Sequence, residues 1–200
     1  QMIRWPALTL IGLIALAPAS SEAEHPAQAI VRLLEAWQLE DALVLAQDLL
    51  HGAPQDPGTL ALAARVQFHR GEYASAVSLI RAASESGRPE LLALRSQIET
   101  TAEFTLGFEI LESAHFKIGY VGKDVIVATY LQDVLERAYS RIGDALGLRP
   151  AERGEKIAVE LYPNARGLAA ATGLTVSEIE TSGTIAVAKF HRLMLTSPLA

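Results

Sequence analysis

The sequence predicts an α+β fold, with an all-α set of helical hairpins in the first half and an incomplete mixed lobe of strands and helices in the second. Three observations predict it. Apolar residues recur at helical spacing over residues 27–83, the pattern turns to strand alternation near residue 108, and 200 residues with 50% apolar and 20% charged content can bury a real core. The chain carries 17 Lys and Arg against 23 Asp and Glu, a net charge of −6, with 4 lysines beside 13 arginines and no basic block. That balance gives no electrostatic footprint for nucleic acid. Cysteine is absent, which excludes disulfides, thiol nucleophiles, Cys-type zinc sites and Cys-linked lipid anchors together.

The first element in chain order is a leader. One positive charge in Met2-Ile3-Arg4 precedes an almost wholly apolar run over residues 5–16 and the small-residue stretch Ala17-Pro18-Ala19-Ser20-Ser21-Glu22-Ala23. This is the pattern of a secretory signal peptide over residues 2–23, cleaved near Ala23. The apolar run falls short of the roughly 20 residues that a membrane span needs. No stable span is therefore expected after cleavage, and the product is expected in the periplasm or outside the cell. A thiol-free chain suits such an oxidising compartment.

Turn clusters at Gly52-Ala53-Pro54-Gln55-Asp56-Pro57-Gly58 and at residues 84–89 divide the helical stretch into pairs. The alanines Ala42 and Ala76, in the second helix of each pair, lie 34 positions apart. In the second pair Gly71-Glu72-Tyr73 joins the helices, and Leu60, Ala64 and Phe68 set large and small residues where two helices approach. Residues 60–83 therefore resemble a tetratricopeptide repeat, whose period is about 34 residues. In the first copy Trp37 stands in place of the Gly and Leu39 in place of the Tyr, which makes it a degenerate or capping repeat. A further helix over residues 89–104 closes a helical domain of residues 24–104. The resemblance implies a groove for a protein or peptide partner, with Arg65, Gln67 and Arg70 as its candidate lining. The other reading is a scaffold that packs on the next domain; two repeats, where an independent solenoid needs about three, favour packing.

Residues 105–200 change period. Phe108-Glu109-Ile110-Leu111 and His115-Phe116-Lys117-Ile118-Gly119-Tyr120 alternate as two strands around the turn Glu112-Ser113-Ala114. Val127, Leu131, Val134, Leu135, Ala138, Ile142 and Leu146 then mark one face of a long amphipathic helix, with Asp133 and Arg137 placed to pair outside. Gly147 ends that helix, Leu148 supports the cap and Pro150 prevents its resumption. Ile157-Ala158-Val159-Glu160-Leu161-Tyr162 is a third strand, after which Asn164 caps a short helix reaching Thr172. Ser177 and Glu180 have the spacing of a capping box. Residues 184–188 and 192–195 form a final strand pair around Lys189-Phe190-His191. This lobe is not expected to close a core by itself.

The chemistry-bearing residues are scattered. His25, His51, His69, His115 and His191 stand alone in sequence, without the i, i+4 pair of a zinc helix, so they are expected to be structural or solvated. Glu109 and Glu160 alternate onto strand faces and are expected to sit on the wet side. No nucleophile elbow, phosphate-cradling loop or dinucleotide fingerprint is present.

One larger resemblance covers residues 108–200. It runs from Glu112-Ser113-Ala114-His115-Phe116-Lys117-Ile118 through Leu135-Glu136-Arg137-Ala138-Tyr139 with Ile142-Gly143. It continues through Val159-Glu160-Leu161-Tyr162-Pro163 to Leu168-Ala169-Ala170-Ala171-Thr172-Gly173. In that order these segments resemble the front portion of peptidase-MA-like domains, the thermolysin-type (gluzincin) zinc metallopeptidases, often found behind tetratricopeptide repeats in exported bacterial proteins. The resemblance implies zinc in the complete domain, held by an H-E-x-x-H helix and a downstream Glu. Neither lies in this chain, so the expectation is a truncated, catalytically silent fragment in which no catalytic or metal residue can be named. The resemblance also implies a substrate edge strand at Gly183, Thr184, Ile185 and Ala186, which would take an extended peptide by β-augmentation; an interior strand is the alternative. The rival function is a non-enzymatic periplasmic binding or scaffold protein whose helical repeats recruit a protein partner.

Overall fold

A computed structural model describes residues 25–147 and 156–199; the leader at residues 2–23 and the expected roles of Leu148 and Pro150 lie outside the described residues. The chain is α+β, as its periodicities predict. The helical half comprises α1 (Pro26–Glu35), α2 (Leu39–Gly52), α3 (Pro57–Arg70), α4 (Tyr73–Ser84) and α5 (Glu90–Thr105). The mixed half follows as β1 (Glu109–Glu112), β2 (Phe116–Tyr120), α6 (Val125–Leu146), β3 (Ile157–Tyr162), α7 (Ala165–Thr172), α8 (Val176–Ser182), β4 (Ala186–Lys189) and β5 (Arg192–Thr196).

Local chemistry sets the helix ends. Asp56 accepts a hydrogen bond from the Thr59 amide (2.8 Å) at the start of α3, where Pro57 needs no amide partner. Asn164 caps α7 in the same way through the Gly167 amide (3.1 Å), and Gly147 closes α6 with φ 62°. The capping box of α8 is not Ser177 with Glu180. Thr175 has the extended backbone of a cap residue, so its hydroxyl accepts from the Glu178 amide (3.1 Å) while the Glu178 carboxylate accepts from the Thr175 amide (2.7 Å). Ser177 is already inside the helix. Between the helices of the two hairpins, Gly71 has φ 82° and Trp37 has φ 59°. Both hairpins therefore turn through a left-handed residue, which only the second fills with glycine.

In the helical half, Ala42, Ala64 and Ala76 are fully buried, because a methyl group lets neighbouring helices approach closely. The sheet has the order β1-β2-β3-β5-β4, with β2, β3 and β5 parallel and β1 and β4 antiparallel at the two edges. One face, formed by Phe116, Ile118, Tyr120, Val159 and Leu161, packs on Val127, Ala128, Leu131, Leu135 and Tyr139 of α6. The predicted stripe of α6 is thus correct only over its first part. Twenty-two residues of helix span about 33 Å and outrun strands of about 17 Å, which leaves Ile142 and Leu146 exposed. Asp133 and Arg137 form no ion pair among the described residues, in keeping with the small worth of exposed pairs.

The opposite face carries Tyr162 and Met194, covered by Leu168 and Ala171 of α7 and by Phe104 of α5 and Phe108. Gly119 makes room for Phe108, whose ring would lie 2.6 Å from any Cβ at that position. The lobe does close a core, and it does so by borrowing cover from the helical half. Gly71→Ala is expected to cost about 1 kcal/mol from the left-handed backbone, whereas Gly52→Ala, with open space and ordinary backbone, is expected to be neutral or slightly stabilising. Urea unfolding of the two variants checks this.

Candidate functional site

Strand alternation puts Glu160 of β3 and Arg192 of β5 on the face that meets the helices. Glu160 is not on a wet side: it is 8% exposed and Arg192 is 5% exposed. The expectation failed because the face opposite α6 is covered by the helical half, which strand alternation does not reveal. The pair meets at 3.1 Å. Tyr73, at the start of α4, donates to one Glu160 oxygen (2.8 Å) and Tyr162 donates to the other (3.0 Å). Arg192 also donates to the Tyr73 oxygen and to the Phe68 carbonyl (3.3 Å). Burial, followed by the adjacent Glu160 charge, pushes both phenols well above their ordinary range. They stay protonated and serve as donors. This circuit fastens strand to helix, with Arg192 Nε alone of its polar atoms buried without a partner.

Beside it, the two-residue turn Phe190-His191 joins β4 to β5. Phe190 packs against Leu34 and Val66 in the core of the helical half, with its ring centroid 3.8 Å from that of His69 and 6.1 Å from that of Trp37. His191 donates through Nε2 to the Trp37 carbonyl (3.0 Å). A cleft of about 450 Å³ runs along this seam, where Leu34 of α1, Arg65 and His69 of α3 and Gln97 of α5 meet Gly173 and Lys189 from the mixed half. Burial, helped by the cations Arg192, Arg65 and Lys189, lowers the His69 pKa to about 3. Its imidazole is neutral at ordinary pH.

The residues expected to line a groove separate. Arg65 stands in the cleft. Arg70 instead pairs with Glu40 of α2 (3.1 Å), tying the second hairpin to the first, and donates to Gln67 of its own helix (3.2 Å). Of the expected edge-strand residues, Gly183 caps α8 and Thr184 meets Ser182 through its hydroxyl (2.6 Å). Ile185 is 74% exposed and Ala186 begins β4, which is an edge strand of the sheet.

His115 meets Glu136 of α6 (2.7 Å) and stacks on Tyr139. Burial works against the Glu136 carboxylate, yet hydrogen bonds from His115 and Ser113 prevail and hold its pKa down to about 2. Among the described residues no three His, Asp or Glu side chains converge as a metal would require. Likewise, among the described residues no helix is long and apolar enough to cross a membrane.

A family model described as tetratricopeptide repeat matches residues 33–98, about a third of the chain and the stretch from α1 into α5. Repeats of this kind generally mediate contacts between proteins. No curated protein and no solved structure gives a match.

Arg192→Met is expected to cost about 3–5 kcal/mol, because Glu160 is then left buried and unpaired, and adding Glu160→Leu should recover a large part of the loss. Denaturant unfolding of the single and double variants measures both. For His69 the folded pKa lies below its ordinary value, so its contribution is complete above pH 6.5 and is lost as pH falls towards 3. Unfolding free energy should drop by up to about 1.4 kcal/mol per pH unit in that window. His69→Gln should flatten the drop between pH 6.5 and 4.5, above the range in which Glu136 takes up its proton.

Proposed function

We propose that this protein is a non-enzymatic binding and scaffold protein that recruits a protein or peptide partner through its helical hairpins. The observation that carries this reading is the alignment of α1, α3 and α5 along one cleft at the seam with the mixed half, whose wall residues Arg65 and Gln97 lie in the stretch matched as tetratricopeptide repeat. In this reading residues 24–104 are the recruiting unit and residues 105–200 are a lobe that braces it through Arg192 and Glu160. The leader pattern over residues 2–23 supports a place outside the cytoplasm.

A second reading is favoured by one observation, the position of β4 at a sheet edge just after the small residues Gly183 and Thr184. In it the lobe is the front of a peptidase-MA-like domain and β4 takes an extended substrate by β-augmentation. Zinc would then need ligands other than the described residues.

Selection of displayed random peptides on the full chain separates the two. The scaffold reading expects peptides whose affinity falls at least tenfold with Arg65→Glu. Zinc-dependent hydrolysis of casein by the full chain, abolished by chelator, together with no selected peptide, would replace it with the second reading.

A further inference from the structure

Among the described residues three non-glycine positions have left-handed backbone, namely Trp37, Phe190 and His191, at φ 59°, 54° and 58°. All three meet at one contact. A two-residue hairpin wants positive φ at both turn positions, which Asn-Gly supplies with little strain and Phe-His does not. Trp37 occupies the place that Gly71 holds in the second hairpin. Local turn chemistry is thus overridden on both sides of the same contact. Such violations collect where side chains are retained for a task other than turning the chain.

The task is visible in what those side chains do. A hairpin tip normally faces solvent, but Phe190 is 8% exposed and packs with Ile30, Leu33 and Leu34 of α1 and Val66 of α3. His191 holds the Trp37 carbonyl, and Lys189 lies 4.8 Å over the Phe190 ring. Lys189 and Phe190 of the tip line the cleft along α1, α3 and α5. Its base is held separately by Arg192, buried against Glu160 and Tyr73. β4 bonds only to β5. The tip's contact with the helices and the Arg192 circuit are thus held by different residues, so breaking the first does not require breaking the second.

We propose that the β4–β5 tip is a tethered occupant of the repeat face, and that an external peptide presenting a large aromatic side chain beside a hydrogen-bond donor docks there by displacing Phe190. This rests on reading the helical hairpins as a recruiting unit. The bound tip shows the chemistry the site accepts, an aromatic ring against His69 and Trp37 and a donor aimed at the Trp37 carbonyl. Occupancy by the tip lowers the apparent affinity of any partner by the fraction of molecules in which the tip is withdrawn.

The test uses a fluorescein-labelled peptide of residues 186–196, and the same peptide with Phe190→Ala, titrated by anisotropy into the full chain and its Phe190→Ala variant. The variant should bind the unaltered peptide at least tenfold more tightly than the parent chain does, and the altered peptide should bind neither protein. A cooperatively folded variant that gains no affinity, or that takes both peptides equally, overturns the proposal. Should the variant fail to fold, hydrogen exchange on the unaltered chain decides. Amides of residues 187–191 and 37–38 should exchange faster than those of β2 and β3; under saturating peptide those of residues 37–38 should slow, while those of the displaced tip, residues 187–191, should exchange faster still. Exchange of these amides only through global unfolding, or with no response to the peptide, overturns it. If peptides selected by display bind parent and variant equally, recruitment stands and occupancy by the tip falls; if neither protein selects a peptide, both fall.

Discussion

The fold depends on the burial of one charge pair. Glu160 and Arg192 lie where the sheet meets the helices, and each is tolerated there because it meets the other, with two tyrosine hydroxyls on Glu160 and the Tyr73 oxygen and Phe68 carbonyl on the terminal nitrogens of Arg192. Desolvating two charges is expensive, so such a pair adds little net stability. What it adds is uniqueness of fit: a helical half docked in any other register would leave both charges buried and unpaired. The Gly71 turn beside Arg192 and the Phe190 tip beyond it are placed by that constraint.

The same docking explains how a small mixed sheet holds together. Its α6 face is covered locally, by a helix that follows β2 directly. Its other face has only the short α7 and α8, and it completes its core with Phe104 from α5 and with Phe108 just beyond that helix. Helical half and sheet thus share apolar cover, a polar circuit and an aromatic tip. A repeat unit of two hairpins is short of what an independent solenoid needs, and the lobe takes the place of the missing neighbours. Part of the helical face remains open as the cleft beside Arg65.

Much of the fold was legible. The switch from helical to strand period near residue 108 follows from side-chain geometry, and the caps at Asn164 and Gly147 follow from the backbone groups a helix end leaves unpaired. The repeat was legible through Ala42, Ala76 and Gly71, because close helix approach and a left-handed turn each admit few residue types. The α8 capping box was misread by two positions, since Ser177 and Thr175 offer equivalent hydroxyls and only the backbone at Thr175 decides between them. The candidate site was legible only at Arg65. A carboxylate inside Ile157-Ala158-Val159-Glu160-Leu161-Tyr162 and an arginine opening the last strand were the available signals for the buried circuit, and alternation alone reads such residues as wet.

By itself the sequence determined the elements, the repeat period and the α+β class, because these depend on periodicity, caps and turns within a few residues of one another. Only the tertiary structure decided that β5 lies between β3 and β4, that Glu160 is buried, and that Phe190 reaches the helices. Those outcomes join residues as distant as Tyr73 and Arg192, 119 positions apart. Contacts at that range depend on strand order and on the angle at which two layers meet, and neither is encoded in any local window of the chain.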